Sequence, residues 1–262
     1  MYVTDNEFFL NFIAEKGDTY NSRAQKARVL TEDWVNRQIY CPACGSLLKK
    51  ASNNAPVLDF VCCSCSEQFE LKSSKKEIAS KVVDGAYQKM IERLNGDEQP
   101  NLFFLHYNAI RLEVLNFFAV PKHFLIPQFI QKRKPLSASA RRAGWIGCNI
   151  LLNQIPQSGR IFIIKDKTVT PKERVMNNWS KTVFLRQAQD FETRGWLVEI
   201  MNCIDKLGKR EFVLNDIYRF ETELAEKFPQ NQHIRDKIRQ KLQILRDKNY
   251  LRFISQGQYQ LV

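Results

Sequence analysis

The chain has no run of eighteen apolar residues, which excludes a helix long enough to span a membrane. It also lacks a basic segment at its start, where Asp5 and Glu7 stand, so a secretory signal is not expected. Internal repeats and low-complexity tracts are missing too. With 262 residues, 44% of them hydrophobic and 26% charged, the composition is typical of a globular protein with one large domain or two ordinary ones.

Negative charge is scarce, and in one stretch it is absent. The formal net charge is +12, from 40 Lys+Arg and 28 Asp+Glu, and no acidic residue occurs between Glu113 and Asp166. A solvated surface ordinarily mixes charges of both signs, so a long basic stretch without acidic residues favours approach to phosphates. We therefore expect a polyanionic partner, most simply nucleic acid.

Cysteine is the residue type with the clearest pattern. Two Cys-x2-Cys pairs, Cys41/Cys44 and Cys62/Cys65, are separated by seventeen residues, which is typical of a four-cysteine zinc site. Four thiolates leave no open coordination position, so this Zn²⁺ is expected to be structural. Cys63 is an alternative to Cys62 as a ligand, although Cys62 keeps the two-residue spacing. The competing interpretation is four ordinary buried cysteines.

The remaining cysteines indicate the compartment. Cys148 and Cys203 stand in apolar surroundings and are expected to be thiols of the core. Seven cysteines without an export signal favour a reducing compartment, the cytoplasm, over a disulfide scaffold.

Two carboxylates and a lysine form a second pattern beside the second cysteine pair. Asp59 precedes Glu70-Leu71-Lys72 by ten intervening residues, which matches the PD-(D/E)xK nuclease pattern in a loosened form. The two-residue period of a strand places Glu70 and Lys72 on one face. A hairpin closed at the Cys62–Cys65 turn would bring Asp59 beside them.

This pattern has a chemical interpretation. Asp59 and Glu70, with the backbone carbonyl of Leu71, would hold a catalytic Mg²⁺ that polarises the scissile phosphate and lowers the pKa of a bound water. Lys72 would orient that water. The pattern also arises by chance, as two surface carboxylates and an exposed lysine. Glu32 and Asp33 can add a carboxylate or serve as solvated or structural charges.

The order of predicted elements indicates an α/β or α+β part followed by a mostly helical part. In the first part we predict helices over residues 22–38 and 84–94, and strands over 56–61, 69–72, 102–107, 112–120 and 161–165. In the second part we predict helices over 195–206, 214–228 and 232–248 and a hairpin over 250–254 and 259–262. Three helices followed by a hairpin are typical of a winged helix.

Several blocks of the sequence resemble the DpnI family of methyl-directed restriction endonucleases. They are Ala27–Val35, the two cysteine pairs, Phe69–Ser73, Arg133–Asn149, Asn202–Lys206 and Ile238–Lys248. The similarity runs from about Ser22 to the C-terminus. It implies an α/β PD-(D/E)xK catalytic domain with an embedded four-cysteine zinc site over residues 1–190, and a C-terminal winged-helix domain over 191–262.

The resemblance also implies an activity. It implies a monomeric, cytoplasmic, prokaryotic type II site-specific deoxyribonuclease that depends on Mg²⁺. Its partner would be double-stranded DNA carrying N6-methyladenine in GATC, cut between A and T to leave blunt ends with 5′-phosphates. The first twenty residues and the additional cysteine in the second pair depart from the family.

Individual positions take their roles from this resemblance. Asp59, Glu70 and Lys72 match the catalytic residues, Cys41, Cys44, Cys62 and Cys65 match the zinc ligands, and Trp145 matches a tryptophan near the paired methyl groups. An indole beside Arg141 and Arg142 offers a flat apolar surface to methyl groups. On the third helix of the winged helix, the residues left facing outward toward the major groove are Arg235, Arg239, Gln240 and Gln243. The rival interpretation is a non-enzymatic zinc and winged-helix transcription regulator.

Overall fold

The structure, a computed structural model, describes residues 8–52, 57–78, 80–96, 98–188 and 190–262. Its strands are β1 (Leu48–Lys50), β2 (Phe60–Cys62), β3 (Gln68–Ser74), β4 (Val82–Ala86), β5 (Asn101–Asn108), β6 (Glu113–Val120), β7 (Ile130–Lys132), β8 (Gly147–Ile150), β9 (Ile161–Lys165), β10 (Thr168–Val169), β11 (Glu211–Val213), β12 (Leu251–Ser255) and β13 (Gln258–Leu261).

The α-helices are α1 (Arg23–Gln38), α2 (Tyr87–Asn95), α3 (Lys172–Ser180), α4 (Phe191–Leu207), α5 (Leu214–Tyr218), α6 (Glu221–Lys227) and α7 (Ile234–Asp247). Short 3-10 helices cover Ala14–Gly17, Lys122–Phe124, Pro127–Phe129, Leu152–Gln154, Gln157–Gly159 and Val183–Gln187. In the part of the chain that the structure describes, no helix has both the length and the apolar character that crossing a membrane requires.

The chain divides into two compact units that each use several separate segments. Unit 1 contains the described residues of Met1–Ala79, Glu98–Lys122 and Ser158–Ser180. Unit 2 contains those of Ser80–Asp97, His123–Gln157 and Lys181–Val262. This grouping follows contacts in space, whereas the predicted division at residue 190 follows the chain, and that division stays a prediction.

Unit 1 is built on a mixed seven-stranded sheet. The strand order is β1-β2-β3-β5-β6-β9-β10, and only β3 and β5 run parallel. Aromatic residues fill its core: the rings of Phe69 and Phe103 stack with centroids 4.3 Å apart, and Trp179 of α3 lies 6.2 Å from Phe69. Trp34 of α1 packs 5.6 Å from Phe117. The helices therefore bury aromatic side chains against the sheet, the arrangement expected for an α/β domain.

Unit 2 contains two small antiparallel sheets and the C-terminal helices. The strands β4, β8 and β7 pair in that order, and β11, β13 and β12 pair in that order. On α7, the four residues predicted to face inward, Ile234, Ile238, Leu242 and Leu245, are all buried. The C-terminal segment is therefore a group of helices followed by a short sheet, as predicted for a winged helix.

Most predicted elements are confirmed, but four boundaries are wrong; the fourth is that of the helix predicted over 195–206, which begins at Phe191. The predicted strand over 56–61 begins only at Phe60; Val57 has a φ of +62°, which a strand cannot accommodate, and Pro56 lies outside the described residues. The predicted helix over 84–94 begins at Tyr87, because Asp84 and Ala86 pair with β8.

The third wrong boundary lies in the winged helix. The predicted helix over 214–228 is two helices, α5 and α6, since Phe220 leaves helical geometry with φ −92° and ψ 8°. The short strand β11 was not predicted; it adds a third strand to the predicted hairpin. Cys148 and Cys203 are fully buried, as predicted for core thiols.

Candidate active site and metal centre

The hairpin of β2 and β3 has the register that the sequence pattern requires. Phe60 pairs with Phe69, and the amide of Asp59 donates to the carbonyl of Phe69 at 3.0 Å. Both phenylalanines point into the core, so alternation turns the side chain of the next residue, Glu70, away from them. The prediction that a hairpin closed at Cys62–Cys65 brings Asp59 beside Glu70 is confirmed.

Contacts join the two carboxylates and the lysine. Oδ2 of Asp59 accepts a hydrogen bond of 2.7 Å from the amide of Leu71, and Nζ of Lys72 donates to Oε1 of Glu70. The side chains of Lys72, Glu70 and Asp59 are only 16%, 13% and 20% exposed. Two surface carboxylates and an exposed lysine that matched the pattern by chance would be solvated. The partial burial of these three side chains therefore favours a site over a chance match.

Burial also changes the acidity of Asp59. Desolvation is the largest cause that raises the pKa of this carboxyl, and the nearby charge of Glu32 adds to it. The amide of Leu71 and the cations of Arg28 and Lys72 act in the opposite direction. The net effect raises the pKa of Asp59, so a cation bound beside it would stabilise the charged form that burial disfavours.

Two clefts meet at these residues. The larger, of about 750 Å³, runs between the N-terminal half of α1 and the end of β3. The smaller, of about 310 Å³, lies toward the segment that follows β1. Four residues line both clefts: Arg28, Glu32, Asp59 and Glu70. The candidate active site is therefore open to a ligand from two sides of the carboxylates.

The structure separates Glu32 from Asp33, for which the sequence left two roles open, an added carboxylate of the site or a solvated or structural charge. Glu32 lies at the junction of the two clefts and pairs with Arg28 at 2.5 Å and with Lys50 at 3.5 Å. Asp33 instead pairs with Arg37 at 2.8 Å, one turn along the helix. In the sequence, the four-residue spacing of Arg28 and Glu32 indicated only that the two side chains lie on one face of the helix. Nothing in the sequence indicated that this face meets Asp59.

The four predicted zinc ligands lie together. One sulfur from each of Cys41, Cys44, Cys62 and Cys65 falls within a group whose members are all within 4.8 Å of one another. The Cys41 and Cys65 sulfurs are 3.6 Å apart, and those of Cys44 and Cys62 are 3.4 Å apart. A tetrahedron with Zn–S bonds of about 2.3 Å has edges of about 3.8 Å, so the quartet can hold a zinc ion.

The fourth ligand position belongs to Cys62 and not to Cys63. Cys62 is buried in the quartet, whereas Cys63 is exposed. The amides of Ser64 and Cys65 point at the Cys62 sulfur from 3.4 and 3.5 Å, where they would stabilise a thiolate. The alternative ligand set with Cys63 is thus disfavoured by position.

The two cysteine pairs fold into matching turns. The amides of Cys41 and Cys62 each donate at 2.8 Å to the carbonyl five residues ahead. The residue after each second cysteine has a positive φ, +76° at Gly45 and +59° at Ser66. At Gly45 a side chain would also meet α3, since a Cβ would lie 2.8 Å from Lys172. A residue with a side chain would therefore be strained at the first turn, which favours glycine there.

Only one of the two donor sets that the sequence suggested forms a compact group among the described residues, and it is the cysteine quartet. The carboxylates of Asp59, Glu70 and Glu32, which are of the ligand type that Mg²⁺ prefers, line the same two clefts. The four-sulfur set suits Zn²⁺ and leaves no position for substrate.

The predicted methyl-contact residues belong to unit 2. Trp145 follows the exposed loop between β7 and β8, and the guanidinium of Arg142 lies 4.7 Å from the centre of its ring. A Cβ at Gly147 would lie 2.8 Å from the indole, so that glycine leaves room for Trp145. Arg141 is exposed beside them. The loop thus presents a half-buried indole flanked by two arginines.

The outward face of α7 carries the other predicted DNA contacts. Arg235 pairs with Glu221 at 2.8 Å and lies 5.0 Å from the ring centre of Tyr218. Arg239 pairs with Asp236 at 3.3 Å and lies 6.0 Å from the same ring. The glutamines of this face, Gln240 and Gln243, are exposed. All four residues are accessible, and both arginines are oriented by neighbours in unit 2.

Two family models match the chain and together cover most of it. The model described as DpnI, Dam-replacing family, matches residues 8–188. The model described as a Dam-replacing HTH domain matches residues 192–261. The first of these spans unit 1 and part of unit 2, and the second spans the helices and the three-stranded sheet at the C-terminus.

Proposed function

Because the chain belongs to the DpnI, Dam-replacing family of methyl-dependent restriction endonucleases, we propose that it is a Mg²⁺-dependent type II deoxyribonuclease of the PD-(D/E)xK class. Its substrate is double-stranded DNA with N6-methyladenine in GATC. It cuts both strands between A and T and leaves blunt ends with 5′-phosphates. It acts as a monomer in a prokaryotic cytoplasm, with a catalytic domain to residue 190 and a winged helix beyond.

One observation carries this proposal. Asp59 and Glu70 lie partly buried where two clefts meet, and Lys72 pairs with Glu70 there. A transcription regulator needs no such constellation, and burying carboxylates costs free energy that a bound cation would help to offset. The nuclease therefore accounts for residues that the regulator leaves unexplained.

The side chains have distinct roles in hydrolysis. Mg²⁺ would supply Lewis-acid stabilisation of the charge that develops on the scissile phosphate. Asp59 and Glu70 would hold this ion, with Glu32 and the Leu71 carbonyl as further possible oxygen ligands. Lys72, fixed by its pair with Glu70, orients the attacking water. The water oxygen bonds to phosphorus, the bond from phosphorus to the 3′ oxygen breaks, and that oxygen takes up a proton.

Recognition of the methyl groups rests on separate residues. The indole of Trp145 offers an apolar surface on which two methyl groups can be buried. Polar groups in its place would lose favourable hydration when the methyl groups covered them. The outward residues of α7, which are Arg235, Arg239, Gln240 and Gln243, contact the major groove, where an adenine N6-methyl projects. Arg141 and Arg142 contact phosphates beside Trp145.

The proposed function is tested with plasmid DNA that is either methylated at GATC or unmethylated, with and without Mg²⁺. We expect cleavage only of methylated plasmid with Mg²⁺, and fragments that ligate as blunt ends. Binding without cutting would favour the transcription regulator. Equal cutting of both plasmids would leave a nuclease but refute the methyl dependence.

Replacing Glu32 with glutamine is expected to raise the Mg²⁺ concentration needed for half-maximal cleavage. The change removes one negative charge beside Asp59 and Glu70, which weakens attraction of a divalent cation by roughly 1 kcal/mol, or about fivefold. The measurement is a Mg²⁺ titration of cleavage rate. Asp33→Asn is the matched control, since Asp33 pairs with Arg37 instead of lining the clefts. Equal Mg²⁺ requirements for both variants would contradict a role for Glu32.

Replacing Trp145 with alanine is expected to reduce discrimination between methylated and unmethylated DNA about tenfold. Two methyl groups that lose an apolar surface forfeit about 0.8 kcal/mol each. The measurement is the ratio of dissociation constants for a methylated and an unmethylated duplex. Arg142→Gln, which keeps the indole, should weaken both complexes alike. An unchanged ratio in Trp145→Ala would remove this residue from methyl recognition.

A further inference from the structure

A basic wall forms part of the lining of the larger cleft, which the carboxylates also line. We define it as Arg23, in the first turn of α1, with Lys75 and Lys76, which follow the end of β3. All three are exposed, and all three belong to unit 1. The cleft therefore has an acidic end, at the candidate metal site, and a basic end along the chain beyond Lys72.

The side chains of the basic wall are not neutralised by nearby carboxylates in the described part of the chain. None of the three makes an ion pair with any residue that the structure describes. Some other basic residues of unit 1 do have carboxylate partners, as Lys167 has in Glu113 at 2.7 Å and Lys26 has in Asp18 at 3.1 Å. Three adjacent cations without partners repel one another, so they favour an external anion.

Local hydrogen bonds hold the basic wall at the cleft. The hydroxyl of Ser74 accepts from the amide of Lys76 at 3.1 Å and donates to its carbonyl at 2.8 Å, which folds the backbone into a tight turn. One residue earlier, Ser73 lies 3.4 Å from the hydroxyl of Thr31 on α1. The strand that carries Glu70 and Lys72 thus continues directly into the lysine pair, against the helix that carries Arg23.

We propose that the basic wall binds backbone phosphates of the DNA strand being cut, next to the scissile phosphate. This inference rests on the proposed function, because it takes the carboxylate end of the cleft as the cleavage site. Phosphates are the anions that a DNA strand presents at regular spacing, and three cations that line one cleft can contact several of them. Unit 1 then has its own sequence-independent contact with the strand.

The basic wall affects affinity and not methyl discrimination. Contacts to phosphate position the duplex without reading base identity. Loss of these contacts should therefore weaken methylated and unmethylated complexes by the same factor. It should raise KM while leaving kcat nearly unchanged, because the catalytic residues remain in place.

The test compares Lys75→Gln/Lys76→Gln with the wild-type protein on a fluorescent duplex of about 20 base pairs, over a series of KCl concentrations without added Mg²⁺. Each lost phosphate contact lowers the slope of log K against log salt by about 0.9. We expect a slope smaller by about 2, and affinity weaker by roughly 30-fold at 0.15 M salt. Adding Arg23→Gln should lower the slope by about one more.

The matched control is Lys49→Gln/Arg174→Gln. Both residues are exposed in unit 1, neither lines the cleft, and neither makes an ion pair with a described residue. The control removes the same number of positive charges from residues outside the cleft. It therefore separates the effect of where the charges lie from the effect of net charge. Equal slopes for the control and the lysine variant would overturn the proposal.

A second arm locates the contact. Duplexes with single neutral methylphosphonate linkages are bound by the wild type and by the lysine variant. If the lysines contact a given phosphate, neutralising it weakens wild-type binding and has little further effect on the variant, as a double-mutant cycle requires. Additive losses at every linkage would contradict the proposal.

The two hypotheses fail separately. If the wild-type protein never cuts methylated DNA but the lysine variant still shows the smaller salt slope, the proposed function is refuted and backbone binding by unit 1 is retained. Cleavage of methylated DNA with an unaltered slope would retain the nuclease and refute the basic wall.

Discussion

Replacing Asp59 with asparagine is expected to lower the rate of cleavage of methylated DNA by about a thousandfold or more while leaving DNA binding within about twofold. The change removes a charge that the catalytic Mg²⁺ needs, and loss of metal-assisted catalysis costs several kcal/mol of transition-state stabilisation. Asparagine keeps an oxygen that can accept the 2.7 Å hydrogen bond from the amide of Leu71. The measurements are single-turnover cleavage and binding to a methylated duplex.

The alanine variant adds a useful comparison. Asp59→Ala should also abolish cleavage and keep binding, but it leaves the Leu71 amide without its acceptor, which costs about 1–3 kcal/mol of stability. The two variants should therefore share a catalytic defect and differ in thermal unfolding. Cleavage by either variant at the wild-type rate would mean that Asp59 is not the catalytic aspartate.

Replacing Cys41 with serine is expected to abolish zinc binding, cooperative unfolding of unit 1, and cleavage together. Structural zinc contributes about 10–16 kcal/mol in small zinc-binding peptides, which is as large as the whole stability of a typical domain. Cys41 is fully buried, with its sulfur 3.6 Å from that of Cys65. Zinc content per chain, circular dichroism on heating, and cleavage at saturating Mg²⁺ are the measurements.

Cys63→Ser is the matched control for the zinc prediction. It changes a neighbouring cysteine that is exposed and outside the quartet, so zinc content and cleavage should match the wild type. Cleavage should be lost with zinc because the Cys62–Cys65 turn closes the β2–β3 hairpin, and the register of that hairpin places Asp59 beside Glu70. Cleavage by zinc-free protein with Asp59 and Glu70 intact would show that this register does not depend on the metal.

The helices α1 and α7 were among the most predictable parts of the fold. Apolar residues at helical spacing placed α1 and α7 within two residues of their observed ends, and the inward face of α7 is buried as predicted. Local patterns failed where pairing with a distant strand decides the conformation. Residues 84–86 lie in a strand because β8 is beside them, and β11 exists because β13 offers it a partner.

The sequence by itself determined the hairpin chemistry, because short-range constraints decide it. Cysteine spacing selects the zinc quartet, the turn sets the register, and the two-residue period aligns Glu70 with Lys72. Only the tertiary structure decided which side chains complete the cleft. Glu32 and Arg23 come from α1, more than 25 residues before Asp59, and packing of that helix against the sheet brings them to the site. Such packing depends on the whole core, and no local pattern in the chain records it.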